Sequence, residues 1–396
     1  MKVLVANLGS TSFKYRLMDM SDERQLARGG VERIGAASSP CQVQIGEHVH
    51  RLEMEVPHHG VAVRACLAQL TDPQHGCLQS ASEVAAIGFK AVHGGRLQGV
   101  FRIDADVLAA MQQVAQVAPA HNPPYLAAMR LLAETVPEIP LVAAFETDFH
   151  RTIPPAWGNY ALPKAWLETL PIRKWGFHGA SHRYIAERMA QLLDNPAARI
   201  ISCHLGGSNS LCAIANGQSV ASTMGMSPQS GLPQNNRVGD FDPFCLPMLI
   251  EHTGQSLEEV LEVLANRSGL LGLSGGVSGD IRDLEEAADQ GHADAQLALD
   301  VFVAEIRRHL GGMLVALGGA DAICFTGGIG ENAQRIRAGV CAGLSQLGIS
   351  LDPELNLAPN AGERRLDSGH NATAIWVVPT NEELIVARQT VNALTA

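Results

Sequence analysis

The sequence predicts an α/β protein with an internal duplication, and three observations carry that prediction. Two strand–turn–strand patterns lie about two hundred residues apart. A third apolar run ends in a glycine turn and a helical pattern. Strand-like and helix-like periods alternate along the chain, which points to layered strands and helices.

The first pattern is VLVANLGSTSFKYRL at residues 3–17. An apolar run (Val3, Leu4, Val5, Ala6) stops at Asn7, a turn of small residues follows (Gly9, Ser10, Thr11, Ser12), and Phe13, Tyr15 and Leu17 then alternate with Lys14 and Arg16. That is a strand, a tight turn and a returning strand of period two. Its counterpart is ARIISCHLGGSNSLCAIANGQSV. Ile200, Ile201 and Cys203 form the run, Gly206, Gly207, Ser208 and Asn209 the turn, and Leu211, Ala213 and Ile214 the return.

The third run, DAICFTGGIGENAQRIRAGV, predicts a buried strand from Ala322 to Phe325, a glycine turn, and a helix opening near Glu331. The segment before it, LEEAADQGHADAQLALDVFVAEIRRHLGGMLVAL, has helical spacing with Ala295, Leu299, Phe302, Val303, Ile306 and Leu310 as core candidates. Residues 227–236, SPQSGLPQNN, read as loop, and the prolines of RTIPPAWGNYALP at 151–163 mark the domain seam.

Bulk composition narrows the function. The chain of 396 residues has 46% hydrophobic and 17% charged residues, typical of a globular protein long enough for two domains. A net charge of −11 argues against nucleic acid or an anionic membrane as partner, yet permits a phosphorylated small molecule held by a few local donors. The eight cysteines show no C-x-x-C spacing and read as reduced thiols. No leader pattern and no run of about 18 apolar residues stands in the sequence, so a cytoplasmic location is expected.

Glycine turns at strand ends expose backbone N–H groups with no Cβ in the way, which suits phosphate oxygens. Any one such turn is ordinary hairpin chemistry; three after apolar strands are a pattern. Lys14 on its own is a solvated strand residue, but beside Ser10 and Ser12 it is placed to meet a phosphate. GIGENA (328–333) also fits G-x-G-x-x-A, with Asp352 downstream, the fingerprint of a nicotinamide-dependent oxidoreductase. The tail after it is too short for that fold, and the reading leaves both hairpin turns unexplained. In GFHGASH, His178 and His182 stand four apart like a helical metal pair, but Gly179 occupies the place of the zinc-protease glutamate. His93, His121, His150 and His204 read individually as hydrogen-bonded core histidines.

Together, NLGSTSFKYRL, VHGG, APAHNPP, FHRTIP, WGFHGASHRY, CHLGGSNS, STMGMSP, RVGDFDP, GGVSGDIRDLE, FTGGIGEN and VPTNEEL resemble, in order and nearly end to end, the acetate and propionate kinase family. The resemblance implies duplicated ribonuclease-H-like domains, of the type found in actin, Hsp70 and sugar kinases, flanking a nucleotide cleft. It implies a first domain at 1–150 and a nucleotide-binding domain at 151–380, with a closing helix at 381–396 returning to the first. The implied activity is ATP-dependent phosphorylation of a short-chain carboxylic acid, giving an acyl phosphate and ADP, reversibly, by direct in-line transfer. The resemblance also implies a homodimer, the typical state of such kinases.

The resemblance assigns roles to residues. Asn7 and Glu382 serve Mg²⁺. Lys14, Ser10 and Ser12 meet ATP phosphate. His178 and Arg237 stabilise the transferring phosphoryl group, with Glu146 as the catalytic carboxylate. Lys90, Val92, Ala120, His121, Phe177 and Pro228 line the acid's site. The turn of His204, Leu205, Gly206, Gly207 and Ser208 holds the nucleotide with Asp280, Ile281 and Arg282, while Gly328, Ile329, Gly330, Glu331 and Asn332 take the adenine side.

Several positions depart from the family pattern. Lys90 replaces an arginine and loses its bidentate fork. Glu146 replaces an aspartate, with Asp148 as an extra carboxylate of unassigned role. Gly207 removes an asparagine side chain, and Asn235 and Asn236 replace Gly-Thr before Arg237. Ala120 replaces a leucine, so an acid two carbons longer than acetate gains roughly 1–1.6 kcal/mol of burial, at ~0.8 kcal/mol per CH₂. An alternative from another class follows from the same departures: a nucleotide-binding relative with lost or altered catalysis, acting as a sensor or partner-binding protein. The NAD-dependent oxidoreductase is a distant third.

Overall fold

A computed structural model describes residues 1–9, 11–119, 121–359 and 362–395. The chain divides into two compact units, one of residues 1–148 with 381–396 and one of residues 149–380. Each is built on its own sheet, and the duplicated α/β architecture read from the sequence is present.

Among the described residues, the first unit holds an eight-stranded sheet in the order β5-β4-β3-β2-β1-β6-β8-β7. The strands are β1 (Lys2–Leu8), β2 (Phe13–Asp19), β3 (Arg24–Val31), β4 (Ser39–Ile45), β5 (His48–Met54), β6 (Val84–Ala91), β7 (Val100–Arg102) and β8 (Leu141–Phe145). The meander β1 to β5 is antiparallel, whereas β6 lies parallel to β1 and β8 parallel to β6. Parallel neighbours need crossovers, here through the helices at His59–Leu70 and Asn122–Thr135. Side-chain alternation sorts each strand. Leu4, Ala6, Leu8, Ile87, Phe89 and Ala91 enter the core with those helices. Val3, Val5, Gly88 and Lys90 point to the other face, where the helix Glu382–Thr395 lies against β1, β6, β7 and β8.

The second unit repeats the plan in a sheet ordered β11-β10-β9-β12-β14-β13 among the described residues. Its strands are β9 (Arg199–His204), β10 (Ser210–Ala215), β11 (Gln218–Ser222), β12 (Ala322–Thr326), β13 (Arg364–Arg365) and β14 (Ala374–Val377). Three antiparallel strands followed by two parallel ones, β11-β10-β9-β12-β14, mirror β3-β2-β1-β6-β8. One face packs on the helix Ala293–Leu317, whose Ala295, Leu299, Phe302, Ile306 and Leu310 are buried while Val303 is half-buried. The other face, through Ile200, Cys212 and Ile214, packs on Ile185 and Met189 of the helix Gly179–Leu192.

Two local expectations are corrected. The helix after β12 opens at Gly327, four residues before Glu331. Gly327 adopts φ +78°, where a Cβ would stand 2.6 Å from the Leu205 carbonyl oxygen. That oxygen accepts the N–H groups of Ile329 and Gly330, supplying the partner that a helix's first turn lacks. The long amphipathic pattern is also two helices, Ile281–Asp289 and Ala293–Leu317, broken where Gly291 takes φ +90°. All eight cysteines are free thiols, six of them buried. Among the described residues no helix is long and apolar enough to cross a membrane.

Gly88 sets how closely the helix Glu382–Thr395 approaches the sheet. A Cβ at Gly88 would lie 2.3 Å from Thr390 Oγ1 and 3.3 Å from Val386 Cγ1. Gly88→Ala is therefore expected to destabilise the first unit by about 1–3 kcal/mol, the usual cost of overpacking. Adding Thr390→Ala should recover most of that loss in urea unfolding; a double variant no more stable than Gly88→Ala would contradict this packing.

Candidate functional site

The first unit brings its polar groups to one edge of the sheet. Strands β1, β6 and β8 run parallel and end together, and ligands of parallel sheets gather at such carboxyl ends. Alternation then selects the face. Asn7 follows Val5, Lys90 follows Gly88, and Glu146 follows Ala144, so all three point to the face carrying the helix Glu382–Thr395. Lys14 pairs directly with Asn7 across the β1–β2 hairpin. Asn7, Lys14, Lys90 and Glu382 line one cavity of about 470 Å³.

Lys90 is the electrostatic centre of this edge. Its Nζ donates to Glu382 Oε2 at 2.5 Å. Burial alone lowers its basicity, but the charges of Glu382 and Glu146 outweigh burial and hold the ammonium above the ordinary lysine range. It stays protonated at neutral pH. Lys14 is different: its Nζ stands 3.8 Å from Glu32 Oε1 with both side chains mostly exposed, a pair screened by solvent. The turn between the strands is braced by Gly9 N–H donating to the Ser12 carbonyl at 2.9 Å and by His59 Nε2 donating to the Gly9 carbonyl at 2.9 Å. Ser10 and Ala120 lie outside the described residues.

The donor set at Asn7 and Glu382 fits a hard cation. Both residues line the same cavity and carry one amide and one carboxylate, although the Asn7 oxygen also accepts from Tyr125 and Glu382 also pairs with Lys90. Magnesium is commonly held by one or two carboxylates, with water and phosphate completing its shell. Among the described residues no group of three or more His, Cys, Asp or Glu side chains gathers for metal binding, so such an ion would draw on few protein ligands.

In the second unit the glycine turns converge. Gly206, Gly207, Asp280, Arg282, Gly328 and Asn332 line a cavity of about 540 Å³, with Ile281 and Ile329 beside them. Asn209, fully buried, shapes the first turn: its Oδ1 accepts from Gly206 N–H at 2.8 Å and its Nδ2 donates to the Pro233 carbonyl at 3.1 Å. Asp280 caps the helix Ile281–Asp289 through Arg282 N–H and also takes Arg282 Nη2 at 2.7 Å, which holds its carboxyl below the usual range. Leu205 is not a lining side chain; it is buried in the core and contributes its backbone. Gly330 is also buried, and burial pushes the Glu331 carboxyl up.

His178 opens the helix Gly179–Leu192 in the left-handed conformation, φ 78° and ψ 44°, which costs a non-glycine residue of order 1–2 kcal/mol. Its Nδ1 meets Ser210 Oγ at 2.8 Å, and its ring lies 4.3 Å from that of His204. His204 Nδ1 in turn meets Ser181 Oγ at 2.8 Å. Arg237 is half-buried, and its Nη1 donates to Gln234 Oε1 at 3.0 Å, the Pro228 carbonyl at 3.3 Å and Ser208 Oγ at 3.5 Å. Among the described residues no carboxylate pairs with it, and burial lowers its basicity.

The acid-site candidates fall in both units. Val92 and His121 are half-buried in the first; Phe177 and Pro228 are buried in the second. Sequence reasoning missed Tyr125, whose buried hydroxyl accepts from Leu8 N–H at 3.2 Å and donates to Asn7 Oδ1 at 3.1 Å, fixing the amide. It sits on the helix that opens at HNPP, the signal that was available. Also missed as lining residues were Asn235 and Glu285 in the second unit's cavity, the latter's carboxyl pushed up by burial. Asp148 acquires a contact: it accepts from Gln389 Nε2 at 3.1 Å, tying the end of the first unit to the closing helix.

Residues 2–388 match the protein family described as the Acetokinase family. The chain is 42% identical over 395 residues to an acetate kinase of Clostridium kluyveri, covering 98% of this chain and 97% of the relative. It is 40% identical over 393 residues to an acetate kinase of Shouchella clausii, covering 98% of each. The solved acetate kinase of Porphyromonas gingivalis aligns with a TM-score of 0.90 at 36% identity over 99% of both chains. A propionate kinase of Francisella tularensis aligns equally well, TM-score 0.90, at 32% identity and 99% coverage of each.

His150 and His182 make the second unit acid-sensitive. His150 is buried, its Nε2 donating to the Phe177 carbonyl at 3.0 Å and its Nδ1 facing Ser219 Oγ at 2.9 Å, and burial pulls its pKa from 6.5 to about 4. Burial takes His182 down as well. The unfolded chain therefore binds protons first, so stability holds above pH 6.5 and falls as the pH drops towards 4. His150 alone should cost about 2 kcal/mol between pH 7 and pH 5. Urea midpoints at the two pH values measure this, and His150→Gln should shrink the difference; an undiminished difference would contradict it.

Proposed function

The chain belongs to the acetokinase family, and on that premise we propose that it transfers the γ-phosphoryl group of ATP to the carboxylate of a short-chain acid. One carboxylate oxygen attacks the γ-phosphorus in line, the bond to the β,γ-bridging oxygen breaks, and ADP leaves with that electron pair. The product is an acyl phosphate. Because an acyl phosphate is itself a strong phosphoryl donor, the same groups serve the return reaction. There is little covalent work for the protein in such a transfer, so positioning and charge neutralisation supply the catalysis.

The observation that carries this reading is Arg237. A half-buried guanidinium with only uncharged oxygens as partners among the described residues is suited to receive an anion. His178 is assigned the same phosphoryl group, and the turn of Gly206, Gly207, Gly328 and Asn332 with Asp280 and Arg282 is assigned the nucleotide. In the first unit, Lys90 is assigned the acid's carboxylate, kept cationic by its two acidic neighbours, and Glu146 its alignment. Lys14 is assigned an ATP phosphate. Asn7 and Glu382 would hold Mg²⁺, which when bound neutralises phosphate charge.

The finer reading concerns acid length. Ala120 stands where the family carries leucine, and the space gained favours propionate or butyrate over acetate. Incubation with Mg·ATP, hydroxylamine and acids from acetate to valerate should yield acyl hydroxamates, with kcat/KM for propionate or butyrate at least equal to that for acetate. A steady decline from acetate to butyrate would overturn the length preference; no hydroxamate with any acid would overturn the kinase reading in favour of a nucleotide-binding protein with altered catalysis.

Arg237→Ala should lower kcat by about two orders of magnitude or more while changing the KM for ATP only a few-fold, since its contact strengthens as phosphoryl charge develops. Steady-state kinetics at saturating acid check it, and a rise in KM without loss of kcat would assign Arg237 to ground-state binding.

A further inference from the structure

Alternation and helical spacing assemble a buried chain of hydrogen bonds behind His178. On β9, Ser202 shares a face with Ile200; on β10, Ser210 shares a face with Cys212 and Ile214. That face packs on the helix Gly179–Leu192. His182 lies one turn after His178 on the same side of that helix. Three contacts result, all of 2.8 Å: Ser202 Oγ with His182 Nδ1, His182 Nε2 with Ser210 Oγ, and Ser210 Oγ with His178 Nδ1. Ser202, Ser210 and His182 are fully buried.

The chain has a direction, and its far end sets it. A serine hydroxyl has one proton to give, and a neutral imidazole gives at one nitrogen and accepts at the other. Ser202 Oγ meets only His182 Nδ1 among the described residues. If His182 donated there, the buried Ser202 proton would have no acceptor, the more expensive arrangement. Ser202 therefore donates to Nδ1. His182 is kept neutral by burial and by the neighbouring His150 and His204, so its Nε2 carries the proton and donates to Ser210. Ser210 then donates to His178 Nδ1.

We infer that Ser202, His182 and Ser210 act as positioning residues that hold His178 in the neutral tautomer with its proton on Nε2. His178 thereby meets the phosphoryl group as an aimed N–H donor, not as an imidazolium. Protonating His178 at Nδ1 would reverse every bond in the chain and strand the Ser202 proton. The inference rests on the reading of His178 as a phosphoryl contact; the tautomer itself does not.

The test uses the full-length protein with ¹⁵N-labelled histidine at pH 7, His178 being assigned by the signals lost in His178→Gln. The wild type should show an unprotonated Nδ1 and a protonated Nε2. Ser202→Ala should mix the tautomers and lower kcat about tenfold with the KM for ATP within about twofold, and Ser202→Thr, which keeps the hydroxyl, should restore both. A wild-type His178 protonated at Nδ1, or a tautomer unchanged by Ser202→Ala, overturns the inference. If Ser202→Ala does not fold, the wild-type spectrum decides alone. Absence of kinase activity with every acid leaves the tautomer result standing and falsifies the functional reading instead.

Discussion

The two-residue period of a β-strand is the constraint on which the polar clusters of both units depend. Parallel strands end at a common edge, and the period decides which side of the sheet each polar group meets. In the first unit it directs Asn7, Lys90 and Glu146 to the face covered by the helix Glu382–Thr395, where Lys90 finds Glu382. In the second it sends Ser202 and Ser210 against His182 and His178. A slip of one residue in β6 or β9 would bury Phe89 or Ile201 on the wrong side and scatter these groups.

The two units of this acetokinase-family chain solve their electrostatics differently. The first sets charge against charge: Lys90 faces Glu382 and Glu146, so a half-buried cation is matched and then over-matched. Around its buried histidines and Arg237, the second relies on neutral dipoles. Serines satisfy buried histidines, amide oxygens surround Arg237, and Asn209 holds the glycine turn. Arg237 has no countercharge among the described residues, and neither has the buried Arg337, which donates to the Asn356 amide oxygen and the Gly330 carbonyl. A chain of net charge −11 can thus hold a polyanion through local geometry.

Much of the fold was legible because it is written locally. The hairpins at β1–β2 and β9–β10 announce themselves by alternation around small-residue turns, and the helix Ala293–Leu317 by its apolar stripe. The start of the helix at Gly327 was not legible, since it depends on a carbonyl of Leu205 more than a hundred residues away. Nor was the break at Gly291, where one glycine overrides a continuous apolar pattern. In the site, composition and spacing pointed to phosphate-binding turns; grouping Gly206 with Asp280 and Gly328 needed the family resemblance, because only folding joins segments so far apart in the chain. Tyr125 and Ser210 lie in or beside quoted motifs, yet nothing in the sequence assigns their contacts or the Asp148–Gln389 contact. Each is an ordinary residue type made significant by a distant neighbour.

The closing helix gives unit 1 an unusual history during synthesis. Its sheet is encoded by the first 148 residues, yet the helix covering Val3, Val5 and Gly88 is contributed after the whole of unit 2 has been made. A nascent chain emerging from the ribosome must keep that apolar sheet face waiting while more than two hundred further residues are translated, and only then can Glu382 reach Lys90. Unit 2, continuous in sequence, is free to fold first. The first unit thus matures last, so a prematurely terminated polypeptide would carry a complete second unit beside a sheet lacking its covering helix.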